Sequence, residues 1–413
     1  MLAPGLARGL FQSLRKGVVP SPVSLRAFST QPLTRPTSRP FRLPYFTPSA
    51  RSTYFYPSHT FSFPRSISTT PPPPQIPRSL PYWLYGCSAV VFGIIVIGGL
   101  TRLTESGLSI VEWQPLTGVL PPITAADWDA EWEKTNANID MHEFKKIFYM
   151  EWAHRLAGRA LGLGLPRPLP TKLILIGLGI GFQGVLGWWM VKSGLNEEIV
   201  QTNAVPRVSQ YRLAAHLSAA LLLYLGMIST AIGIQRDAKI LRQPSIVQSL
   251  SLPAVRRLRP LIHTCGMMVF LTAVTGAFVA GLDAGLVYNE FPYMGESIVP
   301  PKDELFDPRY AKSSTDTWWR NMLENPATTT FSILLTLPFI ARKAPFVSTR
   351  RLAALTTAAA VTQVTLGIST LLYLVPIPLA AMHQAGSVVL LTCIMALGGS
   401  IRRPSRMLRH LRR

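Results

Sequence analysis

The run YRLAAHLSAALLLYLGMISTAIGI, residues 211–234, decides the fold. From Leu213 to its end it carries no Asp, Glu, Lys or Arg. A bilayer-spanning helix takes roughly 20 apolar residues, so the run is long enough to cross a membrane. One ionisable side chain interrupts it, His216. The whole chain has the composition such a run implies. Over 413 residues it is 48% hydrophobic and 15% charged, against about 25% charged for an ordinary soluble domain. Its formal net charge of +21 could suggest a nucleic-acid binder. The apolar content needs a membrane instead, and the charge has another explanation. Three cysteines, Cys87, Cys265 and Cys393, all in apolar stretches, cannot make a disulfide framework and fit no zinc spacing.

Apolar stretches recur outward from this run, at about 83–100, 146–165, 173–191, 211–234, 261–282, 327–341, 352–375 and 379–399. We number them spans one to eight. The second and sixth are short. The connecting segments alternate in charge. Residues 101–145 are net −5 and 283–326 net −4, whereas 235–260 are net +5 and 342–351 hold four bases and no acid. Under the positive-inside rule this alternation predicts eight spans with both termini on the basic side. The expected fold is an all-α membrane protein.

Residues 1–80 explain much of the net charge. They hold ten basic residues and no acid; the first acid is Glu105. Arg-rich, Ser-rich and acid-free is the composition of a mitochondrial targeting presequence, and the bland alternative is a disordered tail. With a presequence, the basic side is the matrix, and the location is the mitochondrial inner membrane with its lipids.

The remainder repeats at about 178 residues. Gly107-Leu108, Glu112-Trp113 and Pro115 answer to Gly285-Leu286, Glu290-Phe291 and Pro292; Gln183 and Gly187 answer to Gln363 and Gly367; Ala215-His216 answers to Met382-His383. An even number of spans per half makes this a parallel repeat. The expected organisation is an N-terminal four-helix half at 81–240, a linker loop at 241–260 and a C-terminal four-helix half at 261–413.

Four of the seven histidines lie in spans: His154, His216, His263 and His383. Ionisable groups inside a membrane are costly and are functional candidates by default; a lone one is as often a packed core residue. His154, His216 and His383 all fall near the non-basic end of spans two, four and eight. His263 opens span five at the opposite face and reads as structural. Two histidines at one depth across a four-helix bundle suit a haem. Arg155, Arg159 and Arg212 stand within a turn or so of them and could pair propionates; snorkelling to the interface is the alternative. Glu151 precedes His154 by one turn on the same face. It reads either as a partner that orients the imidazole or as an acid–base group beside the macrocycle.

Several long motifs resemble the haem A synthases of mitochondria and alphaproteobacteria. They are Glu151-Trp152-Ala153-His154-Arg155, Gly181-Phe182-Gln183-Gly184 with Gly187-Trp188-Trp189-Met190-Val191, Tyr211-Arg212-Leu213 with His216, the stretch Gly276 to Gly285, and Leu379-Ala380-Ala381 with His383-Gln384. The resemblance covers about 83–400. It implies oxidation of the C8 methyl of haem O to a formyl in two steps, with oxygen from water, for cytochrome c oxidase. It places the substrate haem between His154 and His216 as axial ligands, with Glu151 as the catalytic group. It places a haem b relay in the C-terminal half, with His383 as an axial ligand. It implies a haem O synthase and a ferredoxin-type redox protein as partners, and leaves a homo-oligomer open.

The chain departs from the family at one repeat position. The residue 178 after His154 is Ser332, and no histidine lies between His263 and His383. The Glu324-Asn325-Pro326 stretch runs on into Ala327-Thr328-Thr329-Thr330-Phe331 without the family's His-Arg pair. Pro166, Pro168 and Pro170 likewise cut span two short. Either pieces were lost at splice junctions, or this is a divergent paralogue whose second haem has His383 alone. The rival functions are a di-haem b-type electron carrier, a non-catalytic assembly scaffold and, more remotely, a solute carrier.

Overall fold

The computed structural model describes residues 79–114, 118, 120–135, 139–163, 171–195, 208–286, 289–293 and 326–405. Residues 1–78 of the expected presequence lie outside these residues, as do Pro166, Pro168 and Pro170, while its last two, Ser79 and Leu80, already belong to the first helix. The regular structure among them is entirely helical. We number the α-helices α1 (Ser79–Leu103), α2 (Ala125–Lys134), α3 (Met141–Leu163), α4 (Thr171–Val191), α5 (Gln210–Arg242), α6 (Ile246–Ser249), α7 (Pro253–Gly281), α8 (Pro326–Ala341), α9 (Val347–Leu372) and α10 (Ile377–Ser400).

Each expected span coincides with a helix: α1, α3, α4, α5, α7, α8, α9 and α10 in order. Six of these, all but α3 and α8, are long and apolar enough to cross a membrane. α8 has only 16 residues. α3 has 23, but Glu143, Lys145, Lys146, Glu151, Arg155 and Arg159 lie within it. Its start moves from the expected 146 back to Met141. The added first turn is polar, so an apolar window could not find it. Large apolar side chains, among them Leu175, Leu178, Phe182, Leu222 and Leu355, are exposed on the outside of the spans, as a lipid-facing surface requires.

Local sequence sets several helix ends. Thr124 caps α2: its hydroxyl accepts from the Asp127 N–H while Asp127 accepts from the Thr124 N–H, a reciprocal pair that satisfies two orphan donors. Pro253 opens α7, where a missing N–H costs nothing. α1 and α7 end alike. Glu105 (φ 54°) and Asp283 (φ 52°) both take the left-handed conformation. Each leads into a single 3-10 turn, Ser106–Leu108 and Ala284–Leu286. The two corners stand 178 residues apart, the spacing read from the sequence.

In the first half of the chain α1 packs on α3 and α5, and α4 on α3 and α5. In the second, α7 packs on α8 and α10, and α9 on α8 and α10. Contacts of α1 with α10, α5 with α7 and α5 with α10 join the two groups. Several polar links cross that junction, among them the following three. Arg102 at the end of α1 pairs with Asp283 just beyond α7 at 3.0 Å. Tyr224 Oη and Thr392 Oγ1 lie 2.6 Å apart between α5 and α10. Gln384 of α10 donates to the Ile95 carbonyl of α1 at 2.9 Å. All described residues belong to one compact unit, Pro71–Arg413. Its apolar core runs along the central helices through Leu84, Leu221, Met227, Leu258, Leu391 and Leu397.

Candidate functional site

α5 and α10 each carry their histidine six residues from the helix start: His216 after Gln210, His383 after Ile377. At 1.5 Å per residue that is about 9 Å along the helix axis. His154 sits 13 residues after Met141, deeper than a span starting at 146 would place it. His263 is exposed on α7 and takes no part in the cluster.

Each of the three histidines packs against a glycine of a neighbouring helix. A Cβ on Gly98 of α1 would stand 2.9 Å from His154 Cε1, one on Gly187 of α4 3.3 Å from His216 Cε1, and one on Gly367 of α9 2.8 Å from His383 Cε1. Any side chain at the first or third position would push the ring away. A glutamine accompanies two of the rings. Gln183 donates to the His216 carbonyl at 3.4 Å. Gln363 donates to the His383 carbonyl at 2.9 Å and lies 3.1 Å from its Nδ1. The repeat matched Gly187 with Gly367 and Gln183 with Gln363 in sequence, but their service to the histidines, and that of Gly98, appears only in three dimensions.

Glu151 is 4% exposed. Its Oε2 accepts from Ser109 Oγ at 2.7 Å and from the Ile110 N–H at 2.9 Å. Its Oε1 pairs with Arg155 Nη2 at 2.6 Å, one turn along α3. A carboxylate bonded by three donors is held in one orientation. Ser109 and Ile110 come from the segment after the Ser106–Leu108 turn, so the left-handed corner at Glu105 delivers them to α3. Sequence spacing alone could not have found partners some forty residues upstream.

The three arginines expected near propionates all hold backbone. Arg155 donates to the Ile110 and Glu112 carbonyls at 2.8 and 3.2 Å, besides pairing Glu151. Arg159 donates to the Gln114 carbonyl at 2.8 Å. Arg212 donates to the Trp189 carbonyl at 2.7 Å and lies over the Trp189 ring at 4.7 Å. They therefore staple the 110–114 segment and the end of α4 around the histidines.

The donor set fits haem ligation. His154 Nδ1 and His216 Nδ1 are buried without a hydrogen-bond partner, yet both rings stay only partly buried. An unpaired imidazole nitrogen inside a protein is costly unless something binds the ring, and two imidazoles suffice for an axially ligated iron. Among the described residues no three His, Cys, Asp or Glu side chains converge as a metal-binding group.

The helices and the cluster together define a membrane-embedded helical protein with histidines and a buried carboxylate near one end of its bundle. The chain belongs to a family described as cytochrome oxidase assembly protein, whose model matches residues 81–395. It is 41% identical over 376 residues to Heme A synthase COX15 of Saccharomyces cerevisiae, covering 81% of this chain and 77% of that protein. It is 42% identical over 354 residues to Heme A synthase COX15 of Homo sapiens, covering 78% and 82%. A Schizosaccharomyces pombe relative, named Heme A synthase-mitochondrial ferredoxin fusion protein, is 42% identical over 366 residues, 78% of this chain and 59% of its own length.

Proposed function

We propose that this chain is a haem A synthase of the mitochondrial inner membrane. It oxidises the C8 methyl of haem O to a formyl, through the alcohol, with oxygen taken from water. The observation that carries this reading is Glu151, a buried carboxylate fixed by three donors one turn from His154. The names of the relatives support it.

In this reading eight helices span the membrane as two parallel four-helix halves, 81–240 and 261–413, joined by the loop 241–260, after a presequence at 1–80. The matching packing of α1, α3, α4, α5 and of α7, α8, α9, α10 supports the two halves, as do the matching corners at Glu105 and Asp283. In this reading both termini lie in the matrix, which the charge alternation supports.

His154 and His216 hold and orient the substrate. Glu151 faces the reacting edge, where it stabilises positive charge developing at the methyl carbon or takes the proton of the attacking water. Ser109, the Ile110 N–H and Arg155 keep the carboxylate aimed, and Arg159 and Arg212 close the rim near the propionates. His383, with Gln363 and Gly367 beside it, fits one axial position of a haem b. That group supplies one-electron relay chemistry when bound. A ferredoxin-type protein is the partner for the released electrons, as the S. pombe fusion suggests. A haem O synthase hands over the substrate.

Glu151→Gln tests the reading. The amide keeps the size and most of the hydrogen bonding but loses the charge and the base. Turnover of haem O is expected to fall by about 10²–10⁴-fold while bound haem O is retained. A variant oxidising haem O at the parental rate would remove Glu151 from the chemistry.

A further inference from the structure

The far end of α5 holds a charged group that the haem site does not use. Arg236 is 9% exposed, and its Nε and Nη2 are buried with no hydrogen-bond partner. Its guanidinium lies 5.4 Å from the centre of the Phe346 ring. Phe346 is the N-cap of α9; it offers no side-chain cap, and the first turn of α9 has no acid. Arg236 therefore lies over the ring of the residue that opens an uncapped helix, whose free N–H groups carry partial positive charge.

The surroundings add more positive charge. Arg342, Lys343, Arg350 and Arg351 flank that N-terminus, and residues 342–351 contain no acid. The acid next in sequence, Asp237, is turned away and accepts from the Ser405 N–H at 3.1 Å. The Phe346 ring takes one face of the guanidinium, but two buried N–H groups left unbonded beside a positive helix end are unfavourable unless an anion reaches them. We propose that this corner of α5 and α9 binds the phosphate of an anionic phospholipid headgroup.

Depth selects a lipid over a free anion. Arg236 follows Gln210 by 26 residues, about 39 Å at 1.5 Å per residue. The hydrocarbon layer is about 30 Å thick and the bilayer with headgroups about 40–45 Å. With Gln210 at one interface, Arg236 stands in the headgroup layer of the other, on the basic side. Basic groups at helix ends on that side are where acidic headgroups concentrate. A phosphate there would take hydrogen bonds from Arg236 and from the first turn of α9, joining a helix of each half through the lipid.

The test uses the full chain, purified in mild detergent and stripped of lipid. Its melting midpoint is followed by tryptophan fluorescence while phosphatidylglycerol, phosphatidylcholine or inorganic phosphate is added. Phosphatidylglycerol is expected to raise the midpoint by several degrees, with no rise from the other two. Arg236→Gln should abolish the shift, and Arg350→Gln with Arg351→Gln should reduce it. A shift of equal size from phosphatidylcholine would overturn the proposal, as would an undiminished shift in Arg236→Gln. A shift reproduced by inorganic phosphate would mean an anion site with no lipid role. Should Arg236→Gln fail to fold, the three additions to the parent protein still decide.

Discussion

Glu151 and the three histidines carry the residue-scale argument. Each was legible in the sequence for one reason: a polar ionisable group inside an apolar run is costly and is kept for a use. Their supports were not legible. Arg155 reads in sequence as a propionate partner, yet it pairs with Glu151 at 2.6 Å and holds two carbonyls of the 110–114 segment. Ser109 and Gly98 gave no signal, because their role depends on which helix neighbours which. Gly367 gave half a signal, as a repeat match without a role. That role is steric and testable. Gly367→Val would drive a side chain into His383, since even a Cβ lies 2.8 Å from the ring. We expect the variant to lose the haem b signal in the optical spectrum while still taking up haem O. Equal loss of both would mean that the glycine serves the whole bundle rather than one ligand.

At the scale of elements, the repeat was the most informative feature of the sequence. It anticipated matching corners, and Glu105 and Asp283 take the same left-handed backbone before the same 3-10 turn. It did not anticipate that the corners touch. Arg102 bonds both Asp283 and the Ala280 carbonyl, so the end of α1 is tied to the end of α7. The pair is partly buried, at 16% and 25% side-chain exposure. A double-mutant cycle of Arg102→Ala and Asp283→Ala, read by thermal unfolding, should give a coupling of about 0.5–1 kcal/mol. Additive effects would show that the contact contributes nothing to joining the helices. Helix boundaries were less legible. The polar first turn of α3 hides its start. α8 falls short of a span's usual length, and a helix of 16 residues needs packing on α7 and α9 to be held at its depth.

For the molecule as a whole, composition and loop charge were enough to indicate an all-helical membrane protein. Among the described residues six helices are long and apolar enough to cross, and the two other expected spans are the ones whose sequence is charged or short. α3 carries Glu143, Lys145, Lys146, Glu151, Arg155 and Arg159, and the last three, which weaken its span signal, are residues the proposed function uses. In the second half the repeat partner of His154 is Ser332, within α8. That leaves His383 as the one span histidine of the C-terminal half available to a haem on the side of the expected site. The account thus makes unequal demands on the halves: a complete substrate site in the first, and a relay held by a single protein ligand in the second.

The most direct test is of extracted haem. The full chain, produced in a membrane that makes haem O and purified in mild detergent, is stripped of haem, and the extract is separated by chromatography. Haem A or its hydroxylated precursor beside haem B is the expected result. Haem B alone would contradict the account and point to an electron carrier instead.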